Sequence, residues 1–277
     1  TSQVPEADFS SCGIGPVALG HLSEWVRDAE AVLNSLTVDS NDIFGIFPRY
    51  LNDSSAKPDK FAGDCDAFLA ALKESNILSL SLEKTGIGPL TLRKLATSLP
   101  AAVARLILNE NPLTGGRRDS DFDTDITGIT ALCDTLKTSS VTELSLAKCR
   151  LGPGSLGKLA EYVRDAEAAV ANLNISEAII GDAGATLVEA ISSSSTLNFI
   201  TIGKGLRLPL KDNYDSEVLD ASKKGIDRGG VAVIVWWLTT SAAAAITTTD
   251  LRDNYLLNDR ALGTMKQALC DSRNCRD

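Results

Sequence analysis

The chain has 277 residues, 44% of them hydrophobic but only 5% aromatic, and it carries a formal net charge of −9 at pH 7. A net acidic surface disfavours charge-driven binding to nucleic-acid phosphates or to anionic lipid, so the charge argues against both functions. It indicates either a generally solvated acidic surface or a basic protein partner. The longest apolar run covers only residues 231–238, whereas a transmembrane helix needs roughly 18 apolar residues.

One motif recurs along the chain: apolar residues at alternate positions, then a polar turn residue, then a further apolar residue. Residues 141–152, VTELSLAKCRLG, show it most clearly. Alternation with a period of two predicts a short strand with one buried face, and the polar residue at the turn, such as Asn111, is expected to bond to backbone groups there. Further copies occupy residues 33–45, 77–88, 103–115, 170–181, 197–208 and 246–257, with a looser copy at 217–226.

A helical period follows most of these strands. After the strand within 77–88, Leu92 and Leu95, and then Leu99, lie three and four residues apart and therefore share one face of a helix. Strand and helix together recur about every 26 to 30 residues in the regular part of the chain. This order and period predict stacked strand-helix layers with an aliphatic core.

Three spacings between strand centres depart from that period. Polar stretches near 46–64 and 115–125 lengthen two of them, and they predict loops inserted between a strand and its helix on one rim. The third spacing, from Ile200 to Leu219, leaves too little chain for a helix. Pro209 also disfavours a helix there, so an extended segment is expected instead.

These patterns predict an α/β fold: a leucine-rich-repeat solenoid (a horseshoe) of about eight strand-helix repeats with a parallel concave sheet and outer helices. A single domain would cover residues 1–277, with the repeats over 33–257. The sequence pattern predicts an N-terminal cap over residues 1–32, made of a helix without its own strand. It predicts a C-terminal cap over residues 258–277. Both are expected because the ends of a solenoid must cover its core.

The repeats resemble those of the ribonuclease-inhibitor-like leucine-rich-repeat superfamily, which includes NOD-like-receptor repeat regions and Ran GTPase-activating proteins. The resemblance extends over about residues 18–269 and implies a solenoid of this kind without singling out a partner. Residues 208–235 resemble more narrowly the repeat proteins of unicellular algae and other protists. Within them, Ala221 stands where Leu is usual and Asp227 where Gly is usual.

Curved solenoids commonly bind proteins, and Trp, Tyr and Arg dominate the binding energy of protein interfaces. The residues that flank the predicted strand centres are mostly small and polar, so the few large ones are the interesting exceptions. The candidate partner-binding residues are Arg105, Phe199, Arg252, Tyr214 and Trp236. Because Trp236 and Trp237 are adjacent on a predicted helix, we expect one indole in the core and the other partly exposed.

An acidic cluster is the one candidate metal site. Its four alternating carboxylates are Asp119, Asp121, Asp123 and Asp125. Alternating acids can wrap a calcium ion, but an EF-hand loop from the first of them would need Gly in place of Thr124 and Glu in place of Thr130. A solvated acidic loop is therefore the favoured interpretation, with a calcium site as the alternative.

No catalytic residues and no cofactor are predicted. His21, the only histidine, lies in a predicted helix without a nucleophile motif around it. The sequence contains neither a GxxxxGK phosphate-binding motif nor a dinucleotide fingerprint after a strand.

The six cysteines suggest two roles. Cys149 takes the Asn position of its repeat and Cys133 lies on a predicted helix, so both are expected to be buried thiols. The disulfide candidates, one pair near each end, are Cys12 with Cys65 and Cys270 with Cys275. Such disulfides would imply an organellar lumen or secretion, whereas six reduced thiols would indicate the cytoplasm.

The leading functional prediction is a non-catalytic protein-interaction or scaffold module, for example a subunit of a larger assembly. One alternative is a secreted or cell-surface recognition protein, which disulfides and glycosylation at Asn52 or Asn174 would support. The other is a GTPase-activating protein, which the resemblance to Ran regulators allows. Because the chain begins at Thr1 and its only methionine is Met265, we expect a removed targeting segment or a shortened sequence.

Overall fold

The computed structural model describes residues 5–28, 33–47, 56–116, 121–165 and 168–254. The strands are β1 (Glu6–Asp8), β2 (Ser35–Thr37), β3 (Ser79–Ser81), β4 (Arg105–Ile107), β5 (Glu143–Ser145), β6 (Asn172–Asn174), β7 (Phe199–Ile202), β8 (Leu206–Pro209), β9 (Val218–Asp220) and β10 (Thr248–Asp250). The α-helices are α1 (Pro16–Asp28), α2 (Asp66–Lys73), α3 (Pro89–Ala96), α4 (Thr127–Leu136), α5 (Pro153–Arg164), α6 (Gly184–Ser193) and α7 (Arg228–Leu238). Strands and helices alternate as far as β7, which β8 and β9 follow without an intervening helix.

The larger sheet follows the order of the chain. Strands β1 to β7 pair in parallel with their neighbours, and β8 closes the sheet by pairing antiparallel with β7. The predicted strand centres are in register, so that Leu36 pairs with Leu80, Leu106 with Leu144 and Leu173 with Ile200. Helices connect most of these parallel strands, as parallel pairing requires. The predicted α/β solenoid of stacked strand-helix layers is confirmed.

The core is aliphatic and continuous from layer to layer. The central side chain of each regular strand, for example Leu80 or Leu144, is fully buried. Each helix contributes the apolar face that its period predicts, such as Leu92 and Leu95 on α3. No helix among the described residues is both long and apolar enough to cross a bilayer.

In several layers, the polar residue at the turn binds backbone groups of the layer before it, as the motif predicts. The Asn111 side-chain nitrogen donates to the carbonyls of Leu82 and Leu108, at 2.7 and 3.0 Å, and its oxygen accepts from the backbone nitrogens of Thr85 and Ile87. Asn41 and Asn254 make equivalent bonds. The Cys149 thiol donates to the Leu108 carbonyl at 3.1 Å in the same position. These bonds satisfy backbone groups that strand pairing leaves free.

Two features depart from the sequence-based expectations. The N-terminal helix does have its own strand, β1, so the prediction of a strandless helix is wrong. In addition, the sheet is interrupted after β8, because β9 and β10 form a separate parallel pair. The predicted extended segment in place of a helix is confirmed as β8. The predicted C-terminal cap, 258–277, lies outside the described residues.

Both inserted loops lie between a strand and its helix, and each caps a helix of the next layer. Asp59, in the loop between β2 and α2, accepts hydrogen bonds from the backbone nitrogens of Gly88, Leu90 and Thr91 at 2.8 to 2.9 Å. That carboxylate sits at the start of α3, whose N-cap residue, Gly88, has no side chain to serve the same purpose. A carboxylate is favourable there because helix N-termini present unpaired N–H groups and a positive dipole end.

Asp123 repeats this arrangement two layers further on. It lies in the loop between β4 and α4 and accepts from the backbone nitrogens of Gly152, Gly154 and Ser155, at the start of α5. It also accepts from the Ser155 hydroxyl. A Cβ on Gly152 would lie 2.7 Å from an Asp123 carboxylate oxygen, so the close approach requires glycine at that position. The inserts therefore hold neighbouring layers together.

Candidate binding surface

The face of the large sheet opposite its helices is open, and we call it the open sheet face. It carries the residues on either side of each buried strand centre, in two columns across β2 to β7. The first column is Ser35, Ser79, Arg105, Glu143, Asn172 and Phe199, and the second is Thr37, Ser81, Ile107, Ser145, Asn174 and Thr201. Most of these side chains are half-buried and polar.

Hydrogen bonds between neighbouring strands and turns organise the polar residues of this face. The Asn109 side-chain oxygen accepts from the Ser145 hydroxyl at 2.7 Å and from the Ala147 backbone nitrogen at 2.9 Å. The Asn174 side-chain nitrogen donates to the same Ser145 hydroxyl at 2.9 Å. Because a hydrogen-bond network restrains the side chains in it, the polar surface of this face is preorganised.

A depression lies at the end of the open sheet face where β5, β6, β7 and β8 meet. Its lining residues with side chains beyond the buried strand centres are Glu143, Ser145, Asn172, Asn174, Phe199, Thr201 and Arg207. Arg207 pairs with Thr201 across the two antiparallel strands. Its guanidinium carbon lies 3.8 Å from the centroid of the Phe199 ring, in cation–π contact.

The three arginines of the strand faces differ in their charge partners. Arg105 Nε lies 3.1 Å from Glu143 Oε1, and Arg252 forms an ion pair with Asp250. The hydrogen bond from the Arg252 side chain lowers the pKa of Asp250 to about 2. Among the described residues, Arg207 has no carboxylate within ion-pair distance, so its charge is available to a partner.

The structure does not gather the five predicted partner-binding residues into one site. Phe199 lines the depression, Arg105 lies three strands away on β4, and Arg252 follows β10 in the separate sheet. Tyr214 packs edge-on against Trp237, with ring centroids 5.4 Å apart, and is partly buried. Trp236 is likewise partly buried against the core.

The two tryptophans of α7 differ in burial, as expected. Trp237 is fully buried and donates from its indole nitrogen to the Pro209 carbonyl at 2.6 Å, whereas Trp236 is only partly covered. This bond anchors β8 to the helix beneath it. It therefore helps to fix the strand that carries Arg207.

Arg207 is the residue that sequence reasoning missed. It lies near the end of the repeat copy at 197–208, beyond the strand centre Ile200 and its two flanking residues, so no column of the motif includes it. A signal was nevertheless present, because Leu206 and Leu208 alternate with it and are both buried. That alternation is the pattern of a strand with one exposed face.

Two of the four carboxylates in the acidic loop form structural hydrogen bonds. Asp123 caps α5, and Asp125 accepts from the backbone nitrogen and hydroxyl of Thr127 at 2.9 and 2.7 Å. The hydrogen bonds from Thr127 lower the pKa of Asp125. Asp121 also has an interaction partner, and Asp119 lies outside the described residues. No group of three or more potential metal ligands occurs among the residues described, and the calcium site stays a prediction.

The thiols contradict the predicted disulfide at the N-terminal end. Cys12 is exposed and Cys65 is buried, and both are free. Cys65 precedes α2, and its thiol donates to the Ala62 carbonyl at 3.3 Å. It faces the core because it starts a helix that packs inward, which the sequence spacing alone did not show. The pair Cys270 and Cys275 lies outside the described residues.

We expect native protein at pH 8 to be alkylated rapidly at Cys12 and far more slowly at Cys133 and Cys149. Burial raises the pKa of both of these last thiols to about 12, so the reactive thiolate is scarce as well as inaccessible. Pulsed labelling with iodoacetamide followed by peptide mapping measures the three rates. Equal labelling of Cys149 and Cys12 before unfolding would contradict the burial of Cys149.

Comparisons with known proteins agree with this architecture. No protein-family model matches the chain, and no curated protein matches it. The crystal structure of the leucine-rich-repeat-containing protein LegL7 from Legionella pneumophila is similar over 97% of this chain and 72% of that chain, with a TM-score of 0.51 and 16% sequence identity. At this identity the similarity shows the fold alone. The chain has a leucine-rich-repeat fold.

Proposed function

We propose that this protein is a non-catalytic interaction module that binds a protein partner on the open sheet face, centred on the depression between β5 and β8. The observation that carries the proposal is the stacked pair of Phe199 and Arg207, with a guanidinium that has no described carboxylate partner. Aromatic residues and arginine supply most of the energy at protein interfaces. Stacking also reduces the conformational entropy that Arg207 would lose on binding.

The surroundings of this pair suit a protein ligand. Ser145, Asn174 and Thr201 are small and polar, so a partner segment can approach the sheet closely and bond to them. A partner carboxylate or backbone carbonyl would find its donor in Arg207. Scaffolding within a larger assembly is the specific role that we propose for such a surface.

A non-catalytic role fits the described nucleophiles and bases. His21 is exposed on α1, and its one charged neighbour among the residues that the structure describes is Glu24, at 3.9 Å. The thiols of Cys65, Cys133 and Cys149 are buried, and burial raises their pKa values. None of these groups forms the hydrogen-bonded nucleophile and base pair that covalent catalysis uses.

The test is affinity isolation from the cells that produce the protein, followed by mass spectrometry of what co-purifies. Phe199→Ala and Arg207→Ala should each reduce recovery of a stoichiometric partner by roughly tenfold or more. The matched control is Arg164→Ala on α5, which removes an exposed arginine from the helical side. Equal recovery by all three variants would contradict binding at the depression, provided that their unfolding midpoints match the wild type.

A further inference from the structure

The turns that follow the strands carry a series of charged side chains along one rim of the solenoid. In the regular layers, Lys84, Glu110, Lys148 and Glu177 occupy equivalent positions, with positive φ and a backbone N–H that donates to the next layer. The Glu110 carboxylate lies 3.0 Å from the Lys84 ammonium and 3.2 Å from that of Lys148, which in turn lies 3.9 Å from Glu177. Opposite charges therefore alternate from layer to layer along this rim.

The alternation ends after Glu177. The next turn carries Lys204, and the turn of the following layer carries Lys223 and Lys224. The backbone nitrogen of Lys204 donates to the Lys224 carbonyl at 2.6 Å, and a Cβ on Gly203 would lie 2.5 Å from that same carbonyl oxygen. The close approach of the two turns thus brings three lysines together, with no acid between them.

These three lysines have no charge partner in the part of the chain that the structure describes. No described carboxylate lies within ion-pair distance of their ammonium groups. The Glu177 carboxylate lies beside Lys148 instead, and the Asp220 carboxylate accepts from the backbone nitrogen and hydroxyl of Ser222. Two of the lysines are exposed and the third is half-buried. Their charges are therefore available to a ligand, although the whole chain has a net charge of −9.

The lysines extend the positive charge of the depression to the rim. Arg207 lies three residues beyond Lys204 in the hairpin formed by β7 and β8, so their Cα atoms are at most roughly 10 Å apart. The one carboxylate that lines the depression, Glu143, is paired with Arg105 and leaves the charge of Arg207 unopposed. We call Lys204, Arg207, Lys223 and Lys224 the basic tract.

We propose that the basic tract binds an acidic segment of the protein partner. One Asp or Glu side chain of that segment pairs with Arg207 in the depression, and at least one more pairs with the lysines at the rim. An extended chain advances about 3.3 Å per residue, so the two acids lie about three residues apart. The inference rests on the function proposed above, because the same partner occupies the depression, and it adds the chemistry that this partner must have.

Two features favour an acidic polypeptide over other anions. The net charge of −9 repels a long polyanion such as a nucleic acid, whereas a short acidic segment is attracted by the tract alone. The Phe199 ring beside Arg207 offers an apolar contact to a neighbouring side chain of the same segment. Complementary charge mainly raises the association rate and the specificity of such a complex.

The first test selects ligands from a library of random dodecapeptides displayed without a free terminus, with the full chain as bait. We expect the enriched peptides to carry two Asp or Glu residues about three residues apart. Replacement of these acids by Asn or Gln in synthetic peptides should weaken binding at least tenfold, since charge-assisted hydrogen bonds are lost. Enrichment of peptides without acids, or of no peptide at all, would overturn the proposal.

The second test removes the charge of the tract. The variant Lys204→Gln/Lys223→Gln/Lys224→Gln should bind the selected peptides at least tenfold more weakly. The matched control is Lys57→Gln/Lys60→Gln/Lys73→Gln, which removes the same charge from exposed lysines of the second layer. Equal binding by the two variants would overturn the proposal. Lys223→Glu/Lys224→Glu guards against a folding defect, because peptides with Lys in place of the acids should bind it better than they bind the wild type.

The remaining outcomes separate this inference from the function proposed for the depression. Loss of binding with Phe199→Ala but not with the triple lysine variant would keep the depression as a site and overturn the acidic segment. Loss with the lysine variant but not with Phe199→Ala would support the acidic segment and contradict a site centred on the depression. A single-stranded oligonucleotide that bound as tightly as the peptides would overturn the proposal. So would self-association that the lysine variant abolishes in sedimentation velocity, because a second copy would then fill the tract.

Discussion

Leu144→Ala is expected to lower the free energy of unfolding by about 2–5 kcal/mol, the range for removing a buried leucine side chain and leaving a cavity. Leu144 is the centre of β5, fully buried, and in register with Leu106 on one side and Leu173 on the other. The neighbouring layers are fixed by their own strand pairs and turn bonds, so the cavity cannot close easily. Urea unfolding followed by circular dichroism measures the change.

The matched control for this substitution is Leu90→Ala on α3, whose side chain is 41% exposed. It removes the same atoms from a site that already contacts solvent, so its cost should be well under half that of Leu144→Ala. Equal costs for the two variants would contradict the register of β5. An unchanged unfolding midpoint for Leu144→Ala would contradict that register more strongly.

Asp123→Ala is expected to lower the free energy of unfolding by about 1–3 kcal/mol, more than an average helix cap. One carboxylate serves three backbone nitrogens and the Ser155 hydroxyl, and these donors would lose their partner together. The contact also joins two layers, so the loss should appear as reduced protection of the first turn of α5. Chemical denaturation and hydrogen exchange measure the two effects.

The comparison that makes this prediction specific is Asp125→Ala, which removes a neighbouring carboxylate. Within the described part of the chain, the Asp125 carboxylate accepts hydrogen bonds from Thr127 alone, two residues away, so its loss should leave the start of α5 protected. If both substitutions reduced that protection equally, the capping role of Asp123 would be wrong.

The strands could be predicted from the sequence because their signal is local. An apolar residue such as Leu80 or Leu173 must face the core, and its polar neighbours must then face solvent. The turn asparagines could be predicted for a similar reason, since a buried amide needs partners and the turn offers backbone ones. The strand β1 was missed because its centre is Ala7, which gives only a weak apolar signal over three residues.

The contacts between distant segments could not be predicted. Asp59 and Asp123 lie in loops whose sequences indicate only polar, solvated chain, and their capping partners are 29 to 32 residues away. The pairing of Phe199 with Arg207 depends on β8 turning back antiparallel, whereas the repeat pattern predicts only parallel neighbours. The sequence therefore predicted one residue of the candidate site, Phe199, whereas Arg207 was recognised only from the fold.

Site-specific photo-crosslinking tests binding at the open sheet face most directly. A benzophenone amino acid would replace Thr201 in the depression or, as the control, Glu161 on the exposed side of α5. After irradiation in cells that produce the protein, we expect a discrete protein adduct at position 201 that the additional substitution Arg207→Ala abolishes, and none at position 161. A partner adduct at position 161 with none at position 201 would contradict binding at the open sheet face.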